Sequence, residues 1–101
     1  MRSIRGKIQG ETELTEDVEL YGMIVGSTTV SANTVLKLYG MIVGNLVLKR
    51  GSSVDLHGMV NGDIVNEGGR LIVFGMVNGK VIRAGGETII DPSAVVRDGV
   101  S

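Results

Sequence analysis

The chain has no cysteine and no tryptophan, and only one phenylalanine, one proline and one histidine in 101 residues. Without cysteine, disulfide staples and thiol chemistry are excluded. With three aromatic side chains of the Phe, Trp and Tyr kind, a conventional aromatic-rich core is excluded as well. No stretch approaches the ~18 uninterrupted apolar residues of a membrane-spanning helix. The opening Met1-Arg2-Ser3-Ile4-Arg5-Gly6-Lys7 holds no apolar signal-peptide core. A charge excess is missing too: ten Lys+Arg against eleven Asp+Glu leave a formal charge of −1. That balance carries no electrostatic footprint for nucleic acid or for an anionic membrane. The expectation is a soluble cytoplasmic protein in a reducing compartment.

What is present is glycine, 16 of 101 residues, and a 43% hydrophobic content made almost wholly of Val, Ile, Leu, Met and Ala. Valine and glycine together point to strands with tight backbone approaches. The glycines belong to a repeat. Tyr39-Gly40-Met41-Ile42-Val43-Gly44 is preceded 18 residues earlier by Tyr21-Gly22-Met23-Ile24-Val25-Gly26. It is followed 18 residues later by His57-Gly58-Met59-Val60-Asn61-Gly62, and 17 after that by Phe74-Gly75-Met76-Val77-Asn78-Gly79. A fainter first copy, Arg5-Gly6-Lys7-Ile8-Gln9-Gly10, stands 16 residues before the second.

Within each copy the apolar residues alternate, as in Leu36, Leu38, Gly40, Ile42, Gly44, Leu46 and Leu48. Period two is strand periodicity. Polar or glycine-rich breaks fall at matching places, at Thr15–Asp17, Ser31–Thr34, Lys49–Ser53, Asn66–Arg70 and Ala84–Glu87, and read as corners. The repeat is too short for helix pairs or propeller blades, so the sequence predicts an all-β solenoid: a single domain over residues 1–101, with 5–6 coils of about 16–18 residues. The glycines in the first two inward slots are expected at bends, where the narrow interior leaves no room for a side chain. Asn61-Gly62 and Asn78-Gly79 could instead mark hairpin turns. The same slot holds Val25 and Val43, which resist positive φ, and this argues against an antiparallel sandwich.

The line Leu-x-Leu-x-Gly-x-Ile-x-Gly-x-Leu, seen at Leu36–Leu46 and again at Val54–Ile64 and Leu71–Val81, resembles the bactofilin family over about Ile4 to Val96. The resemblance implies a right-handed, triangular β-helix whose subunits join end to end, without nucleotide, into bacterial cytoskeletal filaments or scaffolds. Members of that family usually carry disordered tails, which are nearly absent here. Membrane contact is therefore not predicted. A second solenoid is open, because Val18, Ile24, Val30, Leu36, Ile42, Leu48, Val54 and Val60 recur every six residues. That resembles the hexapeptide repeat of left-handed β-helices, a family with acyltransferases and zinc carbonic anhydrases. The hexads alone do not choose, since a triangular right-handed coil has the same subperiod. No glycine follows any hexad apolar residue, and the hexad fails at Asn66.

Chemistry is sparse. His57, the one histidine, occupies the slot of Tyr21, Tyr39 and Phe74, so it reads as a stacked outward ring rather than a base or a zinc ligand. Gly75-x-x-x-Gly79-Lys80 is one residue short of a phosphate loop and lacks its Ser or Thr. The acidic cluster Glu11, Glu13, Glu16, Asp17 and Glu19 reads as a solvated face and, with no Lys or Arg between Ile8 and Leu36, as a contact for a basic partner. The methionine row could hold Cu(I), with no other feature in support. The expectation is a non-enzymatic protein with no cofactor and no metal.

Two surfaces carry the functional expectation. Tyr21, Met23, Val25, Tyr39, Met41, Val43, His57, Met59, Phe74 and Met76 line up outside as a lateral stripe for self-association or a protein partner. Ile4 and Ile8 at one end, and Ile89, Ile90, Val95 and Val96 at the other, are expected at uncapped rungs through which the chain polymerises with itself. The runner-up function is a monomeric or dimeric binding module using the stripe, and the third is a hexapeptide-repeat enzyme.

Overall fold

In the computed structural model, which describes residues 1–101, each repeat is one coil of three short strands separated by tight bends. A strand of three residues carries two inward side chains at most, so no coil can bury a core alone. Stacking solves this. Every strand pairs in parallel with its counterpart one coil away: Arg2 with Val18, Val18 with Leu36, Leu36 with Val54, Val54 with Leu71, and Leu71 with Thr88. Five complete coils of 16, 18, 18, 17 and 17 residues result, followed by a partial sixth. No strand pair is antiparallel, so the Asn-Gly pairs are not hairpin turns, and neither Asn61 nor Asn78 has positive φ.

The coils have three sides. The first comprises Arg2–Ile4, Val18–Leu20, Val35–Leu38, Ser53–Leu56 and the later halves of Ile64–Val73 and Val81–Ile90. The second comprises Lys7–Gln9, Met23–Val25, Met41–Val43, Met59–Asn61, Met76–Val77 and Val95–Val96. The third comprises Thr12–Leu14, Thr28–Val30, Leu46–Leu48 and the earlier halves of the two long strands, and Val100 bridges to Val81 at its end. Inward residues from all sides form one core of 18 buried apolar side chains, from Leu14 to Val81. The rod measures 30 × 24 × 21 Å, and six rungs at ~4.8 Å account for about 24 Å from the first rung to the last.

Two expectations need correction. The stretches Asn66–Arg70 and Ala84–Glu87 are not breaks, because the strands Ile64–Val73 and Val81–Ile90 run through them with register shifts around Glu67. Asn66 makes this possible. Its fully buried amide donates to the carbonyls of Gly69 at 3.1 Å and Glu87 at 3.0 Å, and its oxygen accepts from the N–H of Gly68 and Gly69. The bent backbone is thus satisfied without a loop.

The second correction concerns Gly22, Gly40, Gly58 and Gly75. Their side chains are excluded by the neighbouring coil rather than by a narrow interior. A Cβ on Gly40 would lie 2.7 Å from the Tyr21 oxygen and closer still to the Gly22 oxygen; Gly58 and Gly75 repeat the arrangement one coil on. Gly6, in the same slot of the first coil, lies at the outer edge of the stack and has nothing within 4 Å.

Candidate functional site

The second side and the corner leading into it place the stripe. Alternation turns Ile24, Ile42, Val60 and Val77 into the core and leaves Met23, Met41, Met59 and Met76 in register outside. These four methionines are half-buried, as are Val25 and Val43. Beside them the rings of Tyr21, Tyr39, His57 and Phe74 stack with centroids 5.0, 5.1 and 4.7 Å apart and planes within 10°. The spacing is the rung spacing, so the ladder follows from the strand register alone. Tyr21, Tyr39 and Phe74 remain 42%, 40% and 39% exposed, which makes the column a ridge. All ten stripe residues therefore lie together on one wall.

Between ring column and methionine row runs a shallow groove. Its floor is the glycine column, and its two stretches, of about 620 and 440 Å³, meet at Gly40.

The sequence reading missed both terminators of the ring stack. Arg5 holds the ring slot of the first coil, and its guanidinium lies 4.8 Å from the Tyr21 centroid, a cation–π contact that covers that end. Asp91 follows Ile90, the partner of Val73, and so takes the ring slot of the last coil. It binds instead to the hydroxyl and N–H of Ser93, and these hydrogen bonds hold its carboxyl below its ordinary value. Both residues were detectable as the non-aromatic members of an aromatic column.

The predicted end residues divide. Ile4 and Ile8 pack inward in the first coil, and Ile90 and Val96 do so in the last, each only partly covered. Ile89 and Val95 do not face the ends: alternation turns them out on the walls, 40% and 45% exposed, where Ile89 continues the row of Ile72 and Val95 that of Met76. In the first coil Arg2–Ile4, Lys7–Gln9 and Thr12–Leu14 each pair along one edge only. The other edge is bare. A recess of about 220 Å³ opens there between Ile4, Ile8, Leu14 and Val18, with the exposed Arg2–Glu16 ion pair of 2.9 Å at its rim. At the opposite end Val95–Val96 and the later half of Val81–Ile90 likewise pair on one side only.

Three of the five acidic residues make contacts between coils. Glu16 meets Arg2, Glu19 accepts from the Ser3 hydroxyl, and Asp17 accepts the N–H of Val35 at 2.9 Å. Asn45 and Asp63 repeat the Asp17 device on the N–H of Asp63 and Lys80. Nowhere do three His, Cys, Asp or Glu side chains converge as a metal site would require, and no helix is long and apolar enough to cross a membrane. No protein-family model, curated protein or solved structure matches this chain.

Proposed function

We propose that this β-solenoid is a non-enzymatic structural protein of the cytoplasm that joins end to end into filaments without nucleotide, as its resemblance to bactofilins implies. The observation that carries the reading is the state of the two ends. The first coil offers three parallel strand edges and the last coil two beside the Val100 bridge, with partly covered apolar residues, Ile4 and Ile8 at one end and Ile90 and Val96 at the other. Bare edges of this kind are templates for pairing with another chain. The fold supplies the geometry, because one more coil on either end would meet the same strand directions and the same spacing as an internal one.

Electron microscopy of the purified protein, without nucleotide, tests the reading. Filaments one rod wide are expected. Ile90→Lys or Val96→Lys should abolish them, whereas Ile89→Lys, on the wall, should leave them intact. A wild-type chain that stays monomeric at high concentration contradicts the proposal. The exposed ring ridge favours a second reading, a protein-binding module, for which a stable complex formed by such a monomer through the ridge would be the signature.

A further inference from the structure

The stripe face has an uneven charge distribution along the rod. At the first-coil end it carries Arg5 and Lys7. Four coils then contribute no Lys, Arg, Asp or Glu to the ring, methionine and valine columns. At the last coil stand Asp91 in the ring column and Arg97 in the valine column, in line with Asn78, with Asp98 at the corner beyond, so this end is net negative by one charge. A face with an apolar middle and opposite charges at its two ends complements a copy of itself turned round.

We propose that two copies pack through this face with their rod axes opposed. Coil one of each copy then lies against coil six of the other, and the twofold axis passes between coils three and four. Arg5 and Lys7 of each copy come beside Asp91 of the second copy, twice by symmetry. Met41 and Met59 meet at the centre, where unbranched thioether side chains adapt to an irregular contact. Parallel packing would bring both cationic ends together, four positive charges at one level, and gather the two net-negative ends, each with Asp91, Arg97 and Asp98, at the other. The charge pattern therefore selects the opposed arrangement.

Size sets the strength. A face bounded by the 30 Å length and about 20 Å of width buries at most about 600 Å² per copy, near the lower limit of a stable interface. The pair is accordingly weak on its own. It becomes effective when many copies are linked in a rod, since each further contact is then intramolecular. The contact does not depend on end-to-end assembly, because the coil ends and this face are different surfaces.

The absence of cysteine allows a direct test. Met23→Cys and Met76→Cys lie on coils two and five, so in opposed packing each faces the other across the interface. In any end-to-end junction, whichever ends meet, the nearest such pair is separated by three rungs, ~14 Å. A bis-maleimide shorter than this should join the two variants when they are mixed and give several-fold less product with either alone. Adding Arg5→Asp to both variants should cut the mixed product several-fold, and adding Asp91→Arg as well should restore it. Self-linking of Met23→Cys alone, or no linking in the mixture at any protein concentration, overturns the proposal. Microscopy of the same samples scores the filament reading separately: linked pairs without filaments refute only that reading, and filaments without linked pairs refute only this one.

Discussion

Alanine at Gly40 and alanine at Gly6 occupy the same slot of the repeat and should have opposite consequences. At Gly40 the added methyl would stand 2.7 Å from the Tyr21 oxygen, 2.8 Å from its carbonyl carbon and nearer to the Gly22 oxygen, all rigid backbone. Relief requires coils two and three to part locally by more than an ångström. Two hydrogen bonds lie in the way, from the N–H of Met41 to Gly22 at 3.1 Å and from the N–H of Gly40 to Leu20 at 2.9 Å. Overpacking of this kind costs about 1–3 kcal/mol, and each weakened bond adds roughly 0.5–1.5 kcal/mol. The total is about 2–6 kcal/mol. In a domain of this size each kcal/mol lowers the melting temperature by roughly 4–8 °C, so a fall of about 10 °C or more is expected in thermal melts followed by circular dichroism.

Gly6→Ala meets nothing and is not held at positive φ. Its smaller unfolded-state entropy should leave stability unchanged or raise it by about 0.4–1 kcal/mol. Yet the methyl points from the bare edge of the first coil, where a stacked second copy would present its own backbone. Gly6→Ala should therefore be silent in the melt and block filaments in the microscope. Melting of Gly40→Ala within two or three degrees of wild type would refute the close-approach explanation of the glycine column.

Three further outcomes are expected. Asn66→Ala removes the partner of four backbone groups inside the core, and with about 1–3 kcal/mol for each group left unsatisfied it should lower the urea midpoint sharply, by at least the equivalent of about 2 kcal/mol. His57→Ala interrupts the ring ladder between Tyr39 and Phe74; two stacked contacts at about 0.5–1.5 kcal/mol each make it destabilising, and His57→Tyr should recover the loss in the same melt. Asp91 should titrate below the ordinary carboxylate range by NMR because Ser93 hydrogen-bonds its charged form. A folded-state value lowered in this way contributes stability above the unfolded-state value that is lost as pH falls through the folded one; Ser93→Ala should return the titration towards normal.

The coil, its length and its inward face were legible because they are written twice, in the alternation of Leu36, Leu38, Ile42, Leu46 and Leu48 and again one coil away. The ring ladder was legible for the same reason, since residues 17 or 18 apart must become neighbours. What stayed hidden was what occurs once. Asn66 stands in the column of Leu14, Val30 and Leu48, yet only the bent backbone around Gly68 and Gly69 shows why an amide replaces leucine there. Ile89 and Val95 resemble Ile90 and Val96 in type, and only the strand register separates wall from end. Corner residues such as Asp17 and Asp63 pass for solvated acids until the N–H of the following coil is placed beside them.

The direction of the backbone hydrogen bonds has a mechanical consequence. Of the 72 between backbone groups, all but four local turn bonds, such as Thr34 to Ser31 and Ala94 to Asp91, join one coil to the next. They lie along the axis of the rod. A pull on the two ends thus loads every coil junction in series, and the softest junction sets the tensile limit of the whole, while bending stretches the bonds of one wall and compresses those opposite. Asp17, Asn45, Asp63 and Asn66 each tie a side chain to the backbone of the following coil. They act as rivets across successive seams, and a strut built from such subunits would be stiff in proportion to the seams they hold.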